Sequence, residues 1–208
     1  MTPIKIDKDI EKLFKLLKAS HDYTFLDVEP ELGAQPNDCF PVVQSKVKLA
    51  GGKMILGWQI WKTKYLVEAE CHAVWEDENE ELHDITPKKN GSTKILFVED
   101  ENLKYEGKQV RNIRLNISNN RLVDDWISVL DAIHEFNNRG ERAYLYNLEG
   151  VLNSEQFDHL VYLRDLEGII STLLFKNGKR DSHCPCGSGS EFRNCHRQGM
   201  ENRITKEV

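Results

Sequence analysis

The sequence predicts an α+β fold: an antiparallel sheet with a preceding helix that carries a cysteine in its first turn, plus a small C-terminal metal motif. Three observations lead there. The stretches Met54 to Trp61 and Tyr65 to Trp75 are rich in aromatic and β-branched residues, the composition of neighbouring strands. Apolar residues recur at three- and four-residue spacing in separate helical segments on either side of them. Near the C-terminus, three cysteines and a histidine fall within thirteen residues, Cys184 to His196.

Taken in order, Asp7 to Ser20 places Ile10, Leu13, Phe14 and Leu17 on one stripe, with Asp7 available as N-cap. Glu29 to Asp38 is a Pro, Gly, Asn and Asp loop. A short helix follows over Cys39 to Leu49, capped by Asn37 or Asp38, and Pro41 fits only in its first turn. Gly51 and Gly52 break that helix before the two long strands. The acidic stretch Glu76 to Glu81 turns the chain, and Leu82 to Thr86 returns as a third strand that Pro87 ends. Lys94 to Val98 and Val110 to Ile117, around a turn at Glu106 and Gly107, complete an expected meander. Arg121 to Phe136 sets Leu122, Trp126, Val129 and Ile133 on a core-facing stripe. Ser154 to Leu174 does the same with Phe157, Leu160, Val161 and Leu173. The expected domains are 1–176 and a linker with metal motif at 177–208.

Composition bounds the function. A chain of 208 residues with 39% hydrophobic and 30% charged residues has material for one substantial core and a tail, under a well-solvated surface. Its apolar runs are far shorter than the roughly 20 residues that span a bilayer, so neither a membrane segment nor a signal peptide is expected. A net charge of -6 argues against a general nucleic-acid binder, because such affinity comes from neutralising phosphates with a basic face. Four of the five cysteines have better uses than disulfides, which implies a reduced, cytoplasmic protein.

Cys184, Cys186, Cys195 and His196 offer three thiolates and one imidazole, the set that closes a tetrahedral zinc shell. Gly187 to Gly189 let the backbone fold back, and Phe192 is placed to cover the metal. A closed four-ligand shell has no open position, so one structural zinc ion is expected, supplying most of the folding free energy of so short a piece. A disulfide between Cys184 and Cys186 would be strained, and a phosphate loop would need a lysine after its glycines. From Cys184 to Arg197, the CPCGSG run, the pair Phe192 and Arg193, and the closing Cys195-His196 resemble the SEC-C motif. That resemblance implies a module that docks partner proteins.

Along Tyr65 to Trp75 the period of two puts Cys71 on one face and His72 on the other. With the turn centred near Asn79 or Glu78, His72 and Asp84 come opposite or nearly opposite, on one side of the sheet. A carboxylate there can hydrogen-bond one imidazole nitrogen and aim the other outward. Cys39, in the first turn of its helix, gains from the macrodipole and the unpaired amides. The order of cysteine on a helix, histidine on a strand and aspartate on the next resembles papain-like and transglutaminase-like thiol enzymes, over residues 33–87. The resemblance implies Cys39 as nucleophile, His72 as base, Asp84 as its orienting partner, and Gln35 or Asn37 as donor to an oxyanion. It implies hydrolysis or acyl transfer at an amide or thioester of a protein or peptide, with Phe40 standing where that family often has Trp.

The ordinary reading of the same residues is a core thiol, a strand histidine and a turn carboxylate, in a non-catalytic adaptor that binds a protein partner through its metal tail. His21, His83, His134, His159 and His183 receive no role. Trp58, Trp61 and Trp75 read as sheet packing, and Glu68 with Glu70 as a solvated face.

Overall fold

The computed structural model describes residues 1–17, 19, 22–145 and 147–206. Ser20 and His21 lie outside them. The chain forms two compact units, Met1–Tyr105 with Val110–Ile117, and Glu106–Gln109 with Ser118–Val208.

In the first unit, α1 (Lys8–Leu17) begins where the Asp7 carboxylate accepts the amides of Asp9 and Ile10, at 3.1 and 3.2 Å. It buries Ile10 and Leu13 completely. Next come β1 (Tyr23–Asp27), α2 (Cys39–Ala50), β2 (Lys53–Lys62), β3 (Leu66–Glu76), β4 (Leu82–His83), β5 (Lys94–Glu99) and β6 (Ile113–Asn116). β2 and β3 are antiparallel neighbours over their whole length, with Gly57 opposite His72.

The remaining pairings depart from a meander. β5 returns between β1 and β2, the order being β1-β5-β2-β3-β4, and β6 pairs with β3. β1 was not anticipated; its short run Tyr-Thr-Phe-Leu finds its partner in β5, some seventy positions away in the chain, which no local pattern reveals. The third strand is also shorter than Leu82 to Thr86, because Asp84 and Ile85 leave β3 and turn their carbonyls to the other end of the sheet. Glu29 donates its amide to Asp84 at 2.8 Å and Glu31 to Ile85 at 3.1 Å. A parallel bridge between Val28 and Asp84 nearly closes the sheet on itself. That near closure buries Asp84 fully.

Besides the cluster around Cys39 and Val43, two apolar clusters fill this unit's sheet surfaces around β2 and β3. One joins Ile10, Leu13, Trp58, Ile60, Val67 and Ala69. The other joins Leu26, Ile55, Val74, Ile95 and Phe97. Burial of such side chains contributes about 1.5–3 kcal/mol each before entropy is counted.

In the second unit, α3 (Arg121–Asn137) starts at Asn120, whose side chain accepts from Leu122, and α4 (Ser154–Phe175) starts in a capping box of Asn153 and Gln156. α3 buries Leu122, Val129 and Ile133 as expected. α4 departs from the expected stripe in part: Leu173 is buried as expected, but Phe157 and Val161 are exposed, and Leu163, Leu166 and Ile170 are buried instead. The apolar residues of α4 surround most of the helix, so its periodicity does not single out one face.

α5 (Met200–Ile204) ends the unit. The stretch expected as a linker is tied down at both ends. Gly178 donates to Leu173 at 2.7 Å, and Phe192 donates to Ser182 at 2.9 Å. α3 and α4 belong to the same compact unit as these residues. No described helix is long and apolar enough to cross a membrane.

Candidate functional sites

α2 sets Cys39 at its first position. Asn37 turns the chain with φ 72°, Asp38 is the N-cap without a side-chain cap bond, and Pro41 sits in the first turn, where its missing N–H costs no helical bond. One turn on, Val43 is fully buried, and with Cys39 it packs on Ala73 and Ile85. Cys39 itself is 6% exposed. Phe40 beside it stacks face to face on Tyr105 at 3.7 Å. The chain leading to Tyr105 is anchored by Asp100, which accepts the indole N–H of Trp58 at 2.9 Å.

His72 Nε2 lies 3.0 Å from Asp84 Oδ1. The pairing of Trp75 with His83 centres the turn at Asn79, so Asp84 stands diagonally from His72, on the same side of the sheet. Asp84 also accepts the Thr86 amide at 3.2 Å. The charge of Cys39 is the largest influence on His72 after burial. The structure therefore pairs His72 directly with Asp84 and leaves Cys39 linked to them through its electrostatic influence on the ring. Gln35 is not with them: it is exposed on its loop, and its amide donates to the Gly33 carbonyl at 3.3 Å.

Several participants went unread in the sequence. Lys88 Nζ contacts Asp84 Oδ2 at 2.6 Å and stands 3.1 Å from His72 Nε2, with a side chain only 6% exposed. No sequence signal pointed to it. Gly57, opposite His72, has no room for a side chain, since a Cβ there would lie 2.3 Å from the Val98 carbonyl and 2.5 Å from the Phe97 ring. That ring packs edge-on to His72 at 6.5 Å. A glycine inside a strand is the signal that could have revealed this close approach. Gln59, on the same face of β2 as Gly57, is 2% exposed, and its amide nitrogen has no partner among the described residues.

Burial is the largest influence on His72 and opposes its charged form. The Cys39 charge, the hydrogen bond to Asp84 and that to Cys39 outweigh it and raise the pKa to about 9, while Lys88 pulls the other way. Asp84 is pushed up by burial but held below the usual carboxylate range overall by His72 and Lys88. Cys71 is pushed up to about 12, first by burial and then by the charge of Cys39. This part of the sheet can hold an imidazolium between a sulfur and a carboxylate.

In the tail, the sulfurs of Cys184, Cys186 and Cys195 and a ring nitrogen of His196 all lie within 4.8 Å of one another. Cys184 Sγ is 3.1 Å and Cys195 Sγ 3.3 Å from His196 Nδ1, and the sulfurs of Cys186 and Cys195 are 3.6 Å apart. Ligand bonds of about 2.0–2.3 Å in a tetrahedron place ligand atoms roughly 3.5–3.8 Å apart, so the spacing suits a metal ion such as zinc.

The backbone explains the spacing. Cys184 donates to Ser190 at 2.8 Å, and Gly187 and Gly189 adopt φ of 80° and 76° to reverse the chain between them. Phe192 is fully buried, and its carbonyl accepts the amides of Cys195 and Arg197, both at 3.1 Å. Of the histidines given no role, His83 stacks near Trp75, His159 packs against Phe136, and His183 bridges Glu191.

No family model matches the chain, and neither a curated protein nor a solved structure gives a significant match. The likeness of the tail to SEC-C, and of residues 33–87 to thiol enzymes, thus stands on the residues themselves.

Proposed function

We propose that the protein is a thiol hydrolase or acyltransferase of papain-like or transglutaminase-like arrangement, acting on an amide or thioester of a protein or peptide, with a SEC-C-like tail that holds one structural zinc. The observation that carries the reading is His72, buried and 3.0 Å from Asp84, with Cys39 at the tip of α2 beside it. Cys39 Sγ attacks the acyl carbon, and His72 passes its proton to the departing amine or thiol as the carbon–heteroatom bond breaks. Water, or an acceptor amine, then attacks the thioester with His72 as base, and the sulfur leaves. Asp84 holds the imidazole in place.

The first amides of α2, which no helical carbonyl engages, are oxyanion donors by position. The Gln35 amide joins them only by releasing Gly33. Cys39 is 6% exposed, so a substrate reaches its sulfur only when the residues around it move. The tail, by its likeness to SEC-C, brings the enzyme to a protein target.

The test is alkylation by iodoacetamide at about pH 6, mapped by mass spectrometry. Cys39 is expected to react in the folded, metal-loaded protein and to lose that reactivity in His72→Ala, while Cys71, whose thiol is pushed up to about 12, stays unmodified. A Cys39 that is inert until unfolding, or equally reactive in the variant, refutes the thiol-enzyme reading.

A further inference from the structure

The second unit carries a cavity of about 540 Å3 at the N-terminus of α3, walled on its other side by the residues that flank the cysteine tail. Five cations line it, Arg121, Lys179, Arg180, Arg193 and Arg197, against one carboxylate, Asp181. On a chain of net charge -6, such a concentration is unexpected.

Local structure explains how the cations converge. Asn120, the cap of α3, uses its amide group to donate to the Gly178 carbonyl at 2.8 Å. This draws the turn bearing Lys179 and Arg180 to the helix end. A side chain at Gly178 would bring its Cβ to 2.9 Å from the Leu173 carbonyl, so glycine permits that turn. Arg193 donates its backbone amide to Arg180 at 2.8 Å, and Arg197 donates its own to Phe192. Beneath them lies Asp125, its side chain 4% exposed, which accepts Arg180 at 2.6 and 2.7 Å and Arg197 at 3.3 Å. One carboxylate thus fixes two guanidinium groups without cancelling both.

Arg193 is paired with Glu191, and Arg197 also with Glu201. Arg121 and Lys179 are exposed and have no ion pair among the described residues. The amide end of α3, a helix of 17 residues, adds its positive pole to theirs.

From this geometry we infer that the cavity is a binding site for a phosphorylated small molecule. Guanidinium groups held in place by a buried carboxylate recognise phosphate oxygens by paired hydrogen bonds. The volume suits a compact metabolite. The lining has no aromatic ring on which a nucleobase would stack, which favours a sugar or acyl phosphate over a nucleotide or single-stranded RNA. The site is independent of Cys39 and of the chemistry proposed there.

Calorimetric titration of the full, zinc-loaded chain with fructose 1,6-bisphosphate, and in parallel with inorganic phosphate, tests the inference. Saturable binding is expected for the bisphosphate, tighter than for phosphate, weakening as salt is raised. The double variant Arg121→Gln/Lys179→Gln is expected to bind it at least tenfold more weakly, with an unchanged circular dichroism spectrum, since neither side chain supports the fold. Binding that survives in the double variant overturns the assignment. So does the lack of bisphosphate binding, including the case where an RNA oligomer binds through the same two residues.

Discussion

Replacing Asp84 by Asn keeps the shape of the side chain and removes its charge, a sharp probe of the buried cluster. Wild-type Asp84 is fully buried and meets His72 at 3.0 Å, Lys88 at 2.6 Å and the Thr86 amide at 3.2 Å. In the variant, Lys88, with a side chain 6% exposed, loses its counter-charge, and His72 loses the acceptor that favours its proton. Removing one member of a buried pair costs about 3–5 kcal/mol, mostly from the charge left behind. Lys88→Met removes the cation instead and leaves Asp84 its imidazole and amide, so it should cost about 1–2 kcal/mol less. The double variant should recover at least about 1 kcal/mol of the summed loss. Urea unfolding at neutral pH reads this through Trp58, Trp61 and Trp75, all in the first unit. An Asp84→Asn protein within about 1 kcal/mol of wild type, or strict additivity in the double variant, would refute the charge-cluster reasoning. The carboxylate's folded pKa is lowered, so its contribution is present above the unfolded value near 3.9 and is lost as pH falls through the folded one.

The His72 ring should titrate near 9 by NMR, and Cys39→Ala should lower that value, because the sulfur's charge and hydrogen bond are among the influences that raise it. An unchanged titration would separate the two residues. Gly57→Ala forces a Cβ to 2.3 Å from the Val98 carbonyl, so a loss of about 3 kcal/mol or more in urea unfolding is expected; a loss below about 0.5 kcal/mol would contradict the close approach. Atomic absorption should find one zinc per chain. Chelation should release it with loss of amide protection around Phe192, and Cys184→Ser should abolish retention; a metal-free tail that keeps its protection would make the ion dispensable.

How legible each part was follows from how local its cause is. The α2 start, the β2–β3 pair and the four tail ligands are written within short windows by Pro41, alternating strand residues and tightly spaced cysteines. The meeting of His72 with Asp84 followed from strand parity across one turn. The position of β5 between β1 and β2 did not, because pairing across so many residues leaves no periodic trace. Lys88 was illegible for a related reason: its role depends on Asp84 leaving β3 to bridge Val28, a tertiary event. Phe157 and Val161 misled because α4 is apolar on several sides, and only packing decides which are covered. Gln35 reads as a donor by position but spends its amide on Gly33.

The two units share a device that connects their proposed chemistries. In each, one buried carboxylate serves two cationic side chains: Asp84 meets His72 and Lys88, and Asp125 meets Arg180 and Arg197. At Asp84 the two cations leave a positive charge over in a buried setting, whereas at Asp125 the second cation, Arg197, is met by Glu201 as well. At the first site the charge of Cys39 is the largest influence on His72 after burial. At the second, Arg121 and Lys179 have no ion pair among the described residues, which leaves both open to the phosphate proposed there. Each proposal is thereby tied to one buried carboxylate, Asp84 or Asp125, whose removal should weaken it.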